Sequence, residues 1–479
     1  MKTVCLIIAA ILATVALSFA LPIACALYFG ETAMIKPFAI PMACMLFAAA
    51  AVFVSLRGKR QPLTLRESFV VVALSWSLAS LFGAIPLYLS GVIGDFSSAV
   101  FESVSGFTTT GATIMQNIDS APRSINLWRC LEHWLGGMGI VTLTVALLPL
   151  LGVGGFQLIK AETTGPEKGK VTPKIGETAK LLWAIYVGLT VLQTLLLKLA
   201  GMTFFDAVCH AFATLGTGGF STKSESVGGF HSAAIDIICT IFMVLAGVNF
   251  SLYFYVFTGK IRELKTNSEL KAYLWIFAIC TALITLFLRP VYGSLLTALR
   301  YGAFQTASII TTTGFATADY MQWNPAAQFV IFILFFFGGS SGSTGGGIKI
   351  IRWVVLGKQI NNEIKKTLHP HGVYSLRLNS QPSGKGIIIS VASFLFLYTI
   401  LVGAVTLISC AFNLDLFTAL TASLSMVGNI GPAFGALGPS QTWAAVPSAL
   451  KIVYCFAMLA GRLELYTMLL YFFPSFWKR

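Results

Sequence analysis

The stretch Phe107–Ile114, FTTTGATI, sets four threonines, a glycine and an alanine between two long apolar runs. The backbone groups of such a patch need partners that apolar surroundings do not supply. Related patches recur as LGTGGFST from Leu215, ITTTGFAT from Ile310 and VGNIGPAF from Val427. Aligned on Gly111, Gly219, Gly314 and Gly431, they share their upstream spacing. Phe96, Phe204, Leu299 and Leu416 stand fifteen residues before the anchors, and Ala99, Ala207, Gly302 and Ala419 twelve before. Such self-similarity marks an internal repeat. Each anchor follows a mildly polar segment, 94–107, 203–215, 297–310 or 414–427, too short to cross a bilayer and therefore read as a re-entrant helix.

Apolar runs flank every segment. They predict spans over 66–90 and 125–151, 180–200 and 231–258, 268–289 and 326–354, and 386–412 and 442–472, with two more over 4–29 and 37–56. The expected fold class is an all-α polytopic membrane protein. Four pseudo-symmetric helix–pore-loop–helix units would surround a central pore, with two extra N-terminal transmembrane helices, ten crossings in all. The expected division is 1–60 for the N-terminal pair, 61–160 and 161–262 for units one and two, and 263–356 for unit three with its intramembrane loop. A cytoplasmic loop would follow over 357–383, then unit four over 384–479.

Composition agrees. The chain has 479 residues, 56% hydrophobic and 10% charged, with mean hydropathy +0.81. No soluble domain hides that much apolar surface. The first run, with Lys2 before it and LSFA within it, competes between a signal peptide and a retained helix; its length exceeds a signal-peptide core and favours the helix. The net charge is +14, and Lys and Arg crowd into a few loops: Arg57–Arg66, Lys160–Lys180, Lys260–Lys271, Lys349–Lys385 and the end at Lys478 and Arg479. The positive-inside rule makes these loops and both termini cytoplasmic. No compact basic domain exists to bind nucleic acid. The nine cysteines are scattered singly without a CxxC or metal spacing, as small core residues would be. No HExxH, paired aspartates or Ser–His grouping occurs in the spans, so no enzyme is expected.

Irregular backbone at membrane depth is tolerated only inside protein or along a watery cavity. Four such loops satisfy this together by converging on one axis. Carbonyls turned inward would replace the water shell of a cation. Glycine permits the turn, and the C-terminal dipole of each short helix would face the cavity. The competing reading, small residues for close helix packing, fits one loop but not four matched ones.

On these residues, TTTGAT, TGGFST, TTTGFAT and GNIGPAFG, the chain resembles the Trk/Ktr/HKT superfamily of potassium transporters over essentially its whole length. The two additional N-terminal spans make it most similar to the TrkH type. The resemblance implies K+ bound at filter carbonyls, with filter residues Thr109, Thr110, Gly111, Gly218, Gly219, Thr312, Thr313, Gly314, Asn429, Ile430 and Gly431. The fourth loop departs from the threonine-rich pattern at Asn429 and Ile430, which implies an asymmetric filter. It also implies a homodimer in the bacterial inner membrane, docked on a cytosolic TrkA-type nucleotide-binding ring. The chain has no covalent cofactor in this reading, and ATP, ADP or NAD would act only through that partner. The basic loop 356–385 is a contact surface either for the partner or for anionic lipid.

Two gate candidates follow. In GGSSGSTGGG, Gly338–Gly347, six of ten residues are glycine: Gly338, Gly339, Gly342, Gly345, Gly346 and Gly347. Each costs about 1 kcal/mol in a helix relative to alanine, so the span should break there, as a movable plug or a static kink. The segment lacks the GK[ST] ending of a P-loop. Arg462 lies inside the last span, where an arginine is costly and faces an interior cavity. The resemblance places it in the pore; pairing with Glu464 or snorkelling are the alternatives. Lys451 is expected to snorkel outward. Glu102 lies within the first short helix. Asp95, Asp206 and Asp415 would cap short helices or concentrate cations at the outer mouth. The rival function is an alternating-access secondary transporter, proton- or sodium-coupled, built on broken helices. No chain of acids runs through the spans, which favours channel-like conduction over proton symport.

Overall fold

The computed structural model describes residues 2–56, 63–139, 175–379, 381–382 and 385–477. Arg57, Lys59, Arg60, Lys160, Lys168, Lys170, Lys174, Lys478, Arg479 and the second half of the expected 125–151 span lie outside the described residues. The fold is helical, with one short hairpin that pairs β1 (Arg377–Leu378) and β2 (Gln381–Pro382).

Helices α1 (Lys2–Ser18), α2 (Ala20–Tyr28) and α3 (Ile35–Ser55) come first. Unit one holds α4 (Leu65–Leu89), α5 (Phe96–Phe107) and α6 (Arg123–Gly137). Unit two holds α7 (Ile175–Leu199), α8 (Phe204–Leu215), α9 (Ala233–Ala246) and α10 (Phe250–Phe257), followed by α11 (Ile261–Thr266). Unit three holds α12 (Ser268–Tyr292), α13 (Leu295–Ile310), α14 (Pro325–Leu334) and α15 (Ile350–Leu368). Unit four holds α16 (Lys385–Ala411), α17 (Leu416–Gly428), α18 (Ser448–Arg462) and α19 (Tyr466–Leu469), and α20 (Pro474–Trp477) ends the described chain.

The short helices α5, α8, α13 and α17 are the four expected re-entrant segments. Their composition suits a place in the middle of the protein. In α17 every residue from Thr418 to Gly428, Leu420 apart, is buried. Small residues such as Ala419, Ala422, Ser423 and Ser425 let neighbours approach on all sides. Hydroxyls there bond back along the helix, Thr421 to Phe417 O (2.9 Å) and Ser423 to Ala419 O (2.8 Å), which satisfies them without water. The long helices are inverted in character: Leu195, Trp275, Leu286, Ile389 and Phe396 are exposed, as side chains facing lipid must be.

The second helix of units two, three and four departs from expectation. The 231–258 span is not straight: α9 and α10 meet at 93°. The 442–472 span bends by 120° after Arg462. The 326–354 span stops at Leu334 and resumes at Ile350, so the irregular stretch exceeds the glycine run on both sides. Neither bend carries a proline, and the apolar sequence hides both. Their cause is tertiary: a Cβ on Gly247 would strike Thr311 and Tyr273, and one on Gly461 would strike Val427 O.

The N-terminal helices are anchored to unit one by aromatic packing. Trp128 is fully buried, with its ring centroid 4.7 Å from Phe19 and 6.0 Å from Phe107. Its Nε1–H donates to Gly83 O at 3.0 Å. Trp128→Ala is expected to cost about 3–5 kcal/mol, read as a lower melting temperature of the detergent-solubilised protein.

Candidate functional site

All four short helices end in the same hydrogen-bonded turn. Thr109, Thr217, Thr312 and Asn429 adopt the left-handed conformation, with φ of 55°, 53°, 57° and 53°. The next N–H bonds back to the helix: Thr110 to Ser105 O (2.9 Å), Gly218 to Ala213 O (2.8 Å), Thr313 to Ser308 O (2.8 Å) and Ile430 to Ser425 O (2.9 Å). This is the Schellman termination. Threonine is a poor residue for it, since a β-branched side chain at positive φ is an outlier. Asn429 is a favoured one. The fourth loop's departure from the threonine pattern is thus the least strained member of the set.

One residue further on stand Gly111, Gly219, Gly314 and Gly431, with φ of 78°, 83°, 82° and 102°. Each lies against the next loop. A Cβ on Gly111 would fall within 2.5 Å of Gly218 O, one on Gly219 of Thr313 O, one on Gly314 of Ile430 O, and one on Gly431 of Thr110 O. The contacts run in sequence order and close, so the loops form one ring. A second closed ring joins the outbound limbs. Ile118 N–H donates to Ser224 Oγ (3.1 Å), Gly228 N–H to Ala316 O (3.1 Å), Tyr320 Oη–H to Ala433 O (2.6 Å) and Trp443 N–H to Thr113 O (2.8 Å). Among the described residues, nothing donates a hydrogen bond to the carbonyls of Thr110, Gly218, Thr313, Ile430 or the four glycines.

A cavity of about 670 Å³ opens onto this ring, and Gly111, Gly219, Gly314 and Gly431 all line it. Its acids are Glu225, Asp236 and Asp319, beside Arg129, Lys223 and Arg300. Asp95, Asp206 and Asp415 do not line it. Asp95 and Asp415 cap α5 and α17 by accepting the N–H of Ser98 (3.0 Å) and Thr418 (2.9 Å). Asp206 is not a cap: Thr203 caps α8, and Asp206 accepts from the hydroxyls of Thr203 and Thr222 (both 2.6 Å).

The glycine-rich segment lies on the opposite side of the ring from this cavity, against the turns that end the short helices. Gly346 N–H donates to Thr312 Oγ1 at 2.6 Å, and a Cβ on Gly346 would lie 2.5 Å from Gly428 O. Backbone therefore meets backbone, which explains glycine here beyond its dislike of helices. Gly345 lies beside Thr311 O, and Gly338 beside Gly346 and Gly347; Gly339 and Gly342 lie near Gly247 and Asn249. Arg462 reaches this segment. Its Nη1 donates to Thr344 O (2.7 Å) and its Nη2 to Gly136 O (2.6 Å) and Gly137 O (3.0 Å). Glu464 pairs instead with Arg352.

Three residues escaped sequence reasoning. Glu269, buried on α12, accepts the N–H of Ser341 (2.6 Å) and of Ile351 (3.1 Å), and so ties the middle of the irregular segment to the start of α15. Lys349, counted above in a basic cytoplasmic loop, is instead buried, with its Nζ against Gly345 O. His133 Nδ1 donates to Gly106 O (2.7 Å) while its Nε2 accepts Phe220 N–H (3.2 Å), joining units one and two. Only their polarity within apolar spans signalled them. Lys451 does not snorkel: it is buried, with Nζ bonded to Ser98 Oγ (3.0 Å) and Ala444 O (3.2 Å), near the carboxylates of Asp95 and Glu102.

The fold and the ring define a pore-loop membrane protein whose four units are fused in one chain. A family model described as a cation transport protein, TrkH, matches residues 36–479. The chain is 38% identical over 463 residues to the Trk system potassium uptake protein TrkH of Halomonas elongata, covering 96% of this chain and 95% of that one. It is 39% identical over 431 residues to the protein of that name from Escherichia coli, covering 88% of each. The crystal structure of the potassium transporter TrkH from Vibrio parahaemolyticus matches it with a TM-score of 0.89 at 33% identity, covering 100% of this chain and 99% of that one. The chain belongs to the TrkH family of cation transport proteins, a family of transport subunits and not of enzymes.

Asn429 carries a local test of the ring. Its Nδ2 donates to Thr110 Oγ1 (3.0 Å) and to Met458 O (2.9 Å). Asn429→Ala loses both bonds and is expected to destabilise the protein by roughly 1–3 kcal/mol, read by thermal melting in detergent.

Proposed function

We propose that this chain is the potassium-conducting subunit of a bacterial uptake system. The observation that carries the reading is the set of ring carbonyls without donors: Thr110, Gly218, Thr313, Ile430 and the four glycines. Buried carbonyls in native proteins find partners. Here a partly dehydrated K+ supplies the missing partner, held by oxygens in place of its water. Thr109, Thr312 and Asn429 complete the ion path on the inner side. Entry is driven by the membrane potential, about 2.3 kcal/mol per charge per 100 mV. The related proteins named as potassium uptake proteins support this choice of ion.

The segment Gly338–Gly347 is the gate, and Arg462 is its latch. Support comes from the contact of Gly346 with Thr312 and from the bond of Arg462 to Thr344 O. Arg462 also sets a positive charge below the ring. The chain works as a homodimer in the inner membrane with both termini cytoplasmic, and a cytosolic TrkA-type ring passes ATP, ADP or NAD signals to the gate. The uneven placement of Lys and Arg supports this orientation, and the relatives' designation as Trk system proteins supports a multi-subunit assembly.

Potassium and sodium flux into liposomes holding this chain, with the voltage clamped by ionophore, tests the filter. Gly314→Ser should lower the K+/Na+ flux ratio by about tenfold, equivalent to 1.4 kcal/mol; an unchanged ratio refutes the filter. Arg462→Ala removes charge-assisted bonds and should raise open probability by about tenfold or more in single-channel records. Unchanged gating in folded protein refutes the latch.

A further inference from the structure

In each unit a side chain of the short helix reaches beyond the helix end and holds the outbound limb of its own loop. Nine residues before the anchor glycines stand Glu102, His210, Gln305 and Ala422. Glu102 accepts from Thr113 Oγ1 (2.8 Å) and from Ile114 N–H (2.8 Å). His210 Nδ1 donates to Asp206 O (2.8 Å), which leaves Nε2 to accept from the Ser221 hydroxyl (2.9 Å). Gln305 Nε2 donates to Ala318 O (3.1 Å). Ala422 has nothing to offer, and Thr421 beside it takes over: its Oγ1 accepts Phe434 N–H (3.2 Å). The grasped groups all lie two to four residues beyond the glycine.

These braces are buried, with Glu102, His210 and Thr421 at 0% exposure and Gln305 at 1%. Burying polar groups is costly unless they are bonded, so a helix that only needed to pack would carry apolar residues at these positions. Four chemistries instead do one geometric task. Unit one's brace is also charged. Arg129 Nε lies 2.8 Å from Glu102 Oε1, its Nη2 donates to Thr113 Oγ1 (3.0 Å), and its guanidinium stands 4.1 Å from the Phe220 ring of the second loop. The inward side of each loop is fixed by the Schellman bonds. The braces fix the outward side, and between these two anchors sit the carbonyls that have no donor.

We propose that Glu102, His210, Gln305 and Thr421 are positioning residues that hold the carbonyl ring at its diameter and so set its choice among monovalent cations. The proposal rests on the filter reading above and adds to it the residues that act through the loops without touching the ion.

The test uses the full chain in liposomes and reads the K+/Na+ flux ratio in Thr421→Val and Gln305→Leu, both near-isosteric, after elution as a monodisperse peak. Each should lower the ratio by roughly threefold to tenfold, the effect of one lost hydrogen bond, and Thr421→Ser should retain it. Gly314→Ser runs alongside. If it lowers the ratio while Thr421→Val and Gln305→Leu keep the wild-type value, the braces are refuted and the filter stands. If all three keep the wild-type value, the filter reading fails and takes this proposal with it. A loss in Thr421→Val that Thr421→Ser shares assigns the effect to packing and also overturns the proposal.

Discussion

At membrane depth a loop has no water to bond to, so its backbone must find partners in protein or in whatever the protein encloses. Everything distinctive here follows from meeting that constraint four times at one place. Each loop spends its first free N–H groups on the helix behind it and presses its glycine against the carbonyl of the next loop. No unit can complete this alone, because the glycine of one and the carbonyl of the next are a single contact. The last link joins unit four to unit one, where Asn429 and Thr110 meet across 319 positions of sequence. The ring therefore completes only when all four units are in place.

The ring is fourfold in backbone and not in chemistry. Three threonines and one asparagine hold the same left-handed turn, and the limb beyond each glycine is held by a different side chain. Helices α9, α14 and α18 are interrupted or bent near the level of the ring, and α6 ends at Gly137. Backbone carbonyls at the end of α6, Gly136 and Gly137, receive Arg462. The glycine segment occupies the room that the break after α14 creates.

The repeat was legible because its spacing is kept where its identities are not. The segments 94–107, 203–215, 297–310 and 414–427 match α5, α8, α13 and α17 to within two residues. The long spans were legible from hydropathy, and the break near Gly338 from its glycines. The bends after α9 and α18 were not, since their cause lies in contacts made by Gly247 and Gly461 with another part of the fold. The same holds for Lys451 and Glu269: sequence reveals a charge in an apolar run but not the backbone groups waiting for it. The left-handed threonines were hidden for a third reason, since local propensity argues against them and only the closed ring overrides it.

These contacts also bound the energetics of the proposed gate. Withdrawing the segment breaks four neutral bonds, of Gly346 to Thr312, Gly342 O to Phe250 N–H, Ser340 N–H to Gly247 O and Thr344 Oγ1 to Ala246 O, and two charged ones, of Thr344 O to Arg462 and Ser341 N–H to Glu269. With neutral bonds near 1 kcal/mol and charged ones at 1.5–3, the opposing free energy is about 7–10 kcal/mol. Reversing a two-state population from 1:99 to 99:1 takes about 5.5 kcal/mol of differential binding. In the proposed gate, a segment held this way would stay shut by itself and open with a partner that binds the open form more tightly. Because Thr312 of the ring accepts from Gly346 of the segment, withdrawing the segment would change the bonding of the ring itself. In the proposed gating, segment and ring are then two ends of one hydrogen-bonded unit, not successive barriers.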